Sequence, residues 1–210
     1  RVAAVARTPR TLDAVVAEIT AAGGRALAIP GDLCEPHFPD EAVKKTVAAH
    51  GRLQILVNNA GILIFGEVAD TSDDAWDRMV ALNLSVPFRL TRAALPHLAN
   101  GGGHVIMVSS LAATHAVEGM APYCATKAAL EQLAAGLMLE VRDQGIHVAV
   151  LAPGSVDTGF SDMPHRGDAT WMLKSEDVAE AALDLLRGRE GAHLSRLEIR
   201  PAKPQQRWGA

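Results

Sequence analysis

Tyr123 and Lys127 are the two side chains in this sequence whose types and spacing best fit proton transfer. They stand four residues apart in the segment YCATK, so a helix places the phenol and the ammonium on one face. An unperturbed tyrosine titrates near pH ~10, and a neighbouring ammonium stabilises the phenolate and lowers the pKa of the tyrosine. The pair therefore predicts a general acid or base that works near neutral pH. The same pattern also fits a partly buried tyrosine beside a solvent-facing lysine. The surrounding sequence has to distinguish between these two interpretations.

The elements that must position this pair follow from the apolar pattern. Six short runs rich in Val, Ile and Leu predict strands at residues 1–7, 25–31, 52–58, 103–109, 145–152 and 194–200. Helical spacing predicts helices at residues 8–22, 39–50, 72–98, 120–144 and 175–187. Most of the strand runs are continuously apolar, which is typical of strands buried on both faces. The alternation predicts an α/β fold, a doubly wound parallel sheet with helices on both faces.

Small and polar residues follow three of the predicted strands. The sequence NNAG occupies residues 58–61, Ser109 and Ser110 end the fourth strand, and PGSVDT occupies residues 153–158. Because the carboxyl ends of parallel strands meet at one edge of a sheet, these residues are expected to line one crevice, where ligands bind in such folds. Taken alone, NNAG also fits an ordinary polar turn.

Together these motifs resemble the short-chain dehydrogenase/reductase family in its standard-length form, close to 3-oxoacyl-carrier-protein reductases and related carbonyl reductases. The resemblance rests on NNAG, on Asn83 within ALNL, on Ser110 placed 13 positions before Tyr123, on Y-x-x-x-K and on P-G-x-V-x-T. It covers nearly the whole chain, and its most specific feature is the joint spacing of the four residues Asn83, Ser110, Tyr123 and Lys127. A Rossmann-type fold is implied.

By this resemblance, Tyr123 is the proton donor or acceptor and Ser110 orients the substrate carbonyl or hydroxyl. Lys127 is expected to hold the nicotinamide ribose and to lower the pKa of the tyrosine, and Asn83 to hold a water in the proton relay. The implied reaction is hydride transfer between a nicotinamide cofactor and the carbonyl carbon of a small molecule. The residues expected to bind the cofactor are Arg7, Asp32, Leu33, Asn59, Ala60, Gly61, Tyr123, Lys127, Pro153, Gly154, Val156 and Thr158.

The choice of cofactor can be argued from charge at the end of the first predicted strand. That strand ends in Val5-Ala6-Arg7, with Arg10 one helical turn further on, and no carboxylate stands there to repel a 2′-phosphate. Arg7 offers a bidentate partner for that phosphate, so NADP(H) is favoured over NAD(H). The alternative is that Arg7 and Arg10 are solvated cations at a helix start.

Composition excludes several classes of protein. With 210 residues, 49% of them hydrophobic, the chain is expected to form one domain over residues 1–210, with a polar surface tail at 201–210. A net charge of -4 argues against a nucleic-acid partner, and no apolar run is long enough to predict a membrane span. Two distant cysteines and the absence of an export signal predict a cytoplasmic protein. Eight scattered histidines predict no metal site.

The family's glycine-rich turn and its first strand and helix have no counterpart in this sequence. We therefore expect that roughly 30 to 40 residues, about one βα unit, precede Arg1 in the working enzyme. Two alternatives stay open: a non-catalytic scaffold that binds a partner, and a nicotinamide-dependent epimerase or dehydratase. A homodimer or homotetramer built on the helices at 72–98 and 120–144 is expected. A mainly apolar substrate loop is expected at 159–174, with Phe160, Met163, Trp171 and Met172.

Overall fold

A computed structural model describes residues 1–160, 169–187 and 191–203. The predicted substrate-loop residue Met163 and the tail residues 204–210 lie outside the described residues. Of the predicted tail, residues 202 and 203 are exposed and Pro201 is half-buried.

The described strands and helices alternate along the chain. The strands are β1 Val2–Ala6, β2 Ala26–Pro30, β3 Ile55–Asn58, β4 Gly103–Val108, β5 Ile146–Pro153 and β6 Arg196–Ile199. The helices are α1 Pro9–Ala21, α2 Phe38–His50, α3 Asp73–Val80, α4 Val86–Leu98, α5 Ala121–Val141 and α6 Ser175–Leu186. All strand pairs are parallel, which confirms the predicted α/β fold. No helix in the described part of the chain is long and apolar enough to cross a membrane.

The parallel strands form two separate groups. β1 pairs with β2, and the other four strands pair in the order β3-β4-β5-β6. Within the described ranges, β1 and β3 therefore each have one edge without a partner strand. Apolar side chains on these two strands are 42–46% exposed: Val2, Ile55 and Val57. Such edges are unfavourable in water, because the backbone hydrogen-bonding groups lack a partner strand and apolar area is exposed to solvent.

The continuous apolar runs of β4 and β5 have a simple cause, since each strand is covered on both faces. Val105 of β4 and Val148 of β5 point into the larger core cluster, together with side chains of α4 and α5. Their neighbours Ile106 and Ala149 point to the opposite face and pack against α6. Alternate residues therefore bury different faces, and no polar position is tolerated in the middle of either strand.

The long helix predicted at 72–98 is interrupted. α3 begins after Ser72, whose hydroxyl accepts a hydrogen bond from the Ala75 N–H at 3.2 Å. It is followed by one π-helical stretch, Ala81–Ser85, before α4 begins. Pro87 has no N–H to donate to the carbonyl of Asn83, four residues earlier, which explains why regular α-helical bonding stops here. Asn83 lies inside this π-helical stretch.

Three histidines that are scattered in sequence form a row near the amino ends of β4 and β5. The rings of His104 and His147 stack at 5.1 Å between centroids, and those of His147 and His193 lie 5.0 Å apart. The register of the sheet explains the first contact, because His104 and His147 are direct neighbours across the ladder. These histidines are not arranged to hold a metal ion, since no group of three or more His, Cys, Asp or Glu side chains among the described residues could do so.

This row predicts an acid-sensitive fold. Partial burial, and secondarily the charges of His147 and His193, lower the pKa of His104 from its ordinary value of 6.5. The unfolded chain then binds a proton more readily than the folded chain, so the free energy of unfolding falls as the pH drops below about 6.5. We expect His104→Gln to reduce this loss in urea unfolding curves measured between pH 5 and 8. His37→Gln, which changes an exposed histidine outside the row, should leave the curves unchanged, and equal pH dependence of both variants would contradict the prediction.

Candidate active site

The carboxyl ends of β3 and β4 and the first turns of α5 bring the predicted catalytic residues together. The Lys127 ammonium donates a hydrogen bond to the Val108 carbonyl oxygen, at the end of β4, at 2.8 Å. A methyl group placed on Gly61, three residues after β3, would lie 3.1 Å from Oδ1 of Asn83 and 3.6 Å from Nζ of Lys127. Glycine at position 61 is therefore what allows the backbone to approach these two polar groups.

Tyr123 is only 5% exposed and packs in a small apolar cluster with Met79 and Ala112. Burial raises the pKa of Tyr123 to about 12, an interaction with the Ser110 side chain lowers it in part, and Cys124 raises it slightly. The predicted direction was wrong for the unliganded protein, where the phenol is protonated at neutral pH. The ammonium of Lys127 stands 5.8 Å from the centroid of the tyrosine ring, and the desolvation of the phenolate outweighs any help from it.

Lys127 is buried, with 3% of its surface exposed, so the alternative of a solvent-facing lysine is wrong. Burial lowers the pKa of Lys127 to about 8, because a charged ammonium loses its hydration there. Among the described residues its hydrogen-bond partner is the Val108 carbonyl, although an ammonium can donate three hydrogen bonds. This buried cation is therefore suited to a ligand that brings further acceptor oxygens.

Asn83 is fully buried and ties three segments together. Its Oδ1 accepts a hydrogen bond from the Ile62 N–H at 2.8 Å, and its Nδ2 donates to the Ile62 carbonyl at 2.9 Å. Nδ2 also donates to Oγ1 of Thr126 at 3.1 Å, and that hydroxyl donates to the Tyr123 carbonyl. The amide thus holds the chain after β3 against the first turn of α5. A water bound by Asn83 stays a prediction.

Asn58, the first residue of the NNAG motif, carries a buried acceptor without a partner. Its Nδ2 donates to Oγ1 of Thr91 at 3.1 Å and contacts Sδ of Met107 at 3.2 Å. Its Oδ1 is buried and has no hydrogen-bond partner in the described part of the molecule. Buried polar atoms are nearly always satisfied in folded proteins, so this oxygen indicates that a donor belongs beside β3.

The residues predicted to hold the adenosine half of a cofactor follow β1 and β2. The Asp32 side chain accepts a hydrogen bond from the Cys34 N–H at 2.9 Å, which forms a tight turn after β2. Arg7 and Arg89 both act electrostatically on Cys34, and Arg89 donates to the Cys34 carbonyl at 3.4 Å. Arg89, on α4, was missed by the sequence analysis because nothing in a helix interior marks it as a neighbour of β2. Leu33 is 7% exposed and belongs to the main core.

The segment after β5 is held near the site by backbone contacts. The Gly154 N–H donates to the Ile199 carbonyl at 2.8 Å, and a side chain at this position would meet Pro201 at 3.1 Å and Leu111 at 3.2 Å. Val156 forms a parallel bridge with Leu173. Pro153 ends β5, and Gly154, Val156 and Thr158 follow it in this segment. Asn59 and Ala60 follow β3 and precede Gly61.

Comparisons with known proteins agree with this fold and arrangement. A family model described as short chain dehydrogenase matches residues 1–166. Over 69% of its length the chain is 40% identical to a 2,5-dichloro-2,5-cyclohexadiene-1,4-diol dehydrogenase from Sphingobium indicum, of which 58% is covered. It is 33% identical over 81% of its length to human dehydrogenase/reductase SDR family member 4, of which 60% is covered. The chain thus spans about 60% of the length of these curated relatives.

Solved structures show the same likeness. A metagenomic short-chain oxidoreductase in complex with NADP superposes with a TM-score of 0.83 at 33% identity, covering 97% of this chain and 86% of that chain. A dehydrogenase/reductase from Sinorhizobium meliloti 1021 superposes with a TM-score of 0.87 at 32% identity, covering 95% and 83% of the two chains. The chain belongs to the short-chain dehydrogenase/reductase family of oxidoreductases, whose members act on small-molecule substrates.

Proposed function

We propose that the chain transfers a hydride between NADP(H) and a carbonyl compound or secondary alcohol, with Tyr123 as the proton donor or acceptor. The observation that carries this proposal is the pairing of a buried phenol with a buried ammonium beside Gly61, at the carboxyl end of the sheet. Burial of an ammonium costs free energy, and Gly61 leaves space beside it. A ligand site accounts for both features better than a purely structural role does.

A nicotinamide cofactor fits the residues present. Lys127 has donors to spare for ribose hydroxyls, and Gly61 leaves room for a ligand to approach the backbone at that point. Arg7, Asp32 and the backbone of Leu33 would hold the adenosine half, and the segment from Pro153 to Thr158 would hold the nicotinamide half. The cofactor, when bound, supplies or accepts the hydride.

The protonation state of the free site favours carbonyl reduction. Because the pKa of Tyr123 is about 12, the phenol carries its proton at neutral pH and can donate it to an oxygen that gains negative charge. Ser110, whose hydroxyl already interacts with Tyr123, orients that same oxygen. Lys127 keeps positive charge near the reacting centre at pH values below about 8.

The proposed preference for NADP(H) rests on two arginine side chains, Arg7 directly after β1 and Arg89 on α4. Arg7 and Arg89 converge near Cys34, and a 2′-phosphate would accept hydrogen bonds from them. We expect Arg7→Ala to weaken NADPH binding about tenfold or more, because a charge-assisted hydrogen bond is worth about 1.5–3 kcal/mol. NADH binding should change little. Fluorescence titration with both cofactors tests this, with Arg10→Ala as the matched control; equal losses for the two cofactors would contradict the preference.

The proposed substrate is a small, mainly apolar carbonyl compound. Large apolar side chains in the loops that flank Tyr123 are 44–55% exposed: Phe65, Val117 and Phe160. Gly119 has φ +71°, and the ring of Phe65 packs directly against it, so this apolar wall is built on a position that favours glycine. Apolar walls with a few polar groups are typical of small-molecule sites.

We also propose that a further parallel strand lies between β1 and β3 in the working enzyme. Among the described strands, β1 and β3 each have an unpaired edge and exposed apolar side chains, and Oδ1 of Asn58 has no donor in the same part of the chain. The intact mass of the protein as its own cell produces it tests this. A mass above the 22.1 kDa of this sequence by roughly 3 to 4 kDa fits one additional βα unit. A mass of 22.1 kDa would favour the non-catalytic scaffold instead.

Titration and turnover separate the enzyme from its two alternatives. A dehydrogenase binds NADPH and changes the absorbance of the reduced nicotinamide when it meets a carbonyl or alcohol. A scaffold binds neither cofactor, and an epimerase or dehydratase binds the cofactor without net consumption. Constant absorbance across a broad panel of carbonyls and alcohols, with NADPH bound, would therefore overturn the redox proposal.

We propose that the protein forms a homodimer or homotetramer through α4 and α5. Both helices carry large apolar side chains that are exposed in one chain, Phe88 at 48% and Leu139 at 63%. Sedimentation of the native protein would test the assembly.

We also propose a cytoplasmic location. Cys34 and Cys124 are free thiols, which supports the prediction of a reducing compartment.

A further inference from the structure

Phe160 lies in the loop after β5, and its ring packs against the ring of Tyr123. Its ring centroid is 6.3 Å from that of Tyr123, with the two planes inclined by 62°, an edge-to-face contact. A methyl group placed on Gly61 would lie 3.8 Å from Cε2 of Phe160 and 3.6 Å from Nζ of Lys127. The phenylalanine edge and the ammonium thus converge on the same backbone position.

The exposure of the three side chains orders them from inside to outside. Lys127 is 3% exposed and Tyr123 5%, whereas Phe160 is 44% exposed. The half-exposed ring of Phe160 packs against the buried Tyr123 and lies beside Gly61, the position that Lys127 also approaches, so it forms a boundary between the pair and the solvent. The sequence predicts Phe160 in a substrate loop, and its ring contact with Tyr123 relates it to the pair.

We propose that Phe160 is a positioning residue that acts through Tyr123 and Lys127, because its ring closes the open side of the pair and keeps bulk water from the phenol and the ammonium. This inference rests on the proposed function for its catalytic meaning. Its physical content is independent of that function, since it concerns the solvation of two named groups in the free protein.

Removal of the ring must then change how both groups titrate. Burial is the largest cause of the raised pKa of Tyr123, and it also lowers the pKa of Lys127. Water admitted by Phe160→Ala stabilises the phenolate and the ammonium alike. The pKa of Tyr123 should fall toward 10, and that of Lys127 should rise toward its ordinary 10.5.

Tyr123 can be titrated directly, because it is the single tyrosine of this sequence. The phenolate absorbance of the unliganded protein is followed as the pH is raised, with Tyr123→Phe as the blank and circular dichroism as the monitor of folding. We expect phenolate to appear about one pH unit lower in Phe160→Ala than in the unmodified protein, before the fold is lost. Phe160→Leu keeps a large apolar side chain and should titrate like the unmodified protein.

Activity supplies a second readout. In carbonyl reduction, the alkaline limb of the pH profile of kcat/KM should move up by about one unit in Phe160→Ala, because Lys127 keeps its proton to higher pH. Phe160→Leu should retain the original limb. Identical phenolate titrations of Phe160→Ala and the unmodified protein would overturn the inference. Failure of the proposed function would show differently, as turnover that survives Tyr123→Phe, and it would leave the titration result standing.

Discussion

Replacement of Tyr123 by phenylalanine is expected to lower kcat by roughly 10²- to 10⁴-fold, the range that a positioned general acid contributes. The change removes the exchangeable proton and keeps the ring, so the apolar contacts with Met79 and Ala112 remain. Cofactor binding should be mostly retained, because the ammonium of Lys127 donates to Val108 and not to the phenol. Initial rates with NADPH and a reducible carbonyl, together with fluorescence titration of NADPH, measure the two effects separately.

This experiment distinguishes chemistry from folding. The phenol is buried and its interaction with Ser110 is lost in the variant, so the unfolding curve must be compared with that of the unmodified protein. A stable variant that binds NADPH and turns over slowly supports the proton-transfer role. Unchanged turnover would contradict the assignment of Tyr123.

Replacement of Lys127 by methionine is expected to abolish most of the activity while it stabilises the unliganded fold. The pKa of Lys127 falls from 10.5 to about 8 on folding, so the folded protein binds fewer protons than the unfolded chain between these values. The free energy of unfolding therefore rises with pH across this window, and below about pH 8 the burial of the ammonium costs about 3 kcal/mol. Methionine removes that cost and loses the hydrogen bond to Val108, worth about 1 kcal/mol. The net gain expected at pH 7 is about 2 kcal/mol.

Urea unfolding at pH 7 and pH 10 measures this gain, which should shrink at the higher pH because the lysine is then largely neutral in the folded protein. Lys44→Met, at an exposed position of α2, is the matched control and should change stability little. Weaker NADPH binding and lower kcat are expected from Lys127→Met alone. A large loss of stability at pH 7 would show that the protein compensates the buried ammonium more fully than the hydrogen bond to Val108 implies.

The active-site geometry explains why these two variants should behave oppositely in stability. Tyr123 is stable as a neutral group, whereas Lys127 is a buried cation whose hydrogen-bond partner within the described residues is one carbonyl oxygen. Such an energetically unfavourable arrangement is typical of sites whose polar groups bind a ligand. The bound cofactor would offset the cost that the free protein carries.

Local patterns were enough to predict the alternating strands and helices, the parallel sheet, and the edge at which Gly61, Ser110 and Tyr123 meet. These features follow from neighbours in sequence: apolar runs mark buried strands, and a four-residue spacing sets one helix face. The π-helical stretch at Asn83 was not predicted, although Pro87 was a visible signal for it.

What depended on packing could not be read from the sequence. Segments far apart in the chain, including the one that carries Phe160, bury Tyr123 and Lys127. This burial raises the pKa of Tyr123 and lowers that of Lys127. The same holds for Arg89 beside Cys34. Periodicity reports which residues share a face, whereas desolvation depends on what covers that face, and that is known only once the distant segments are packed together.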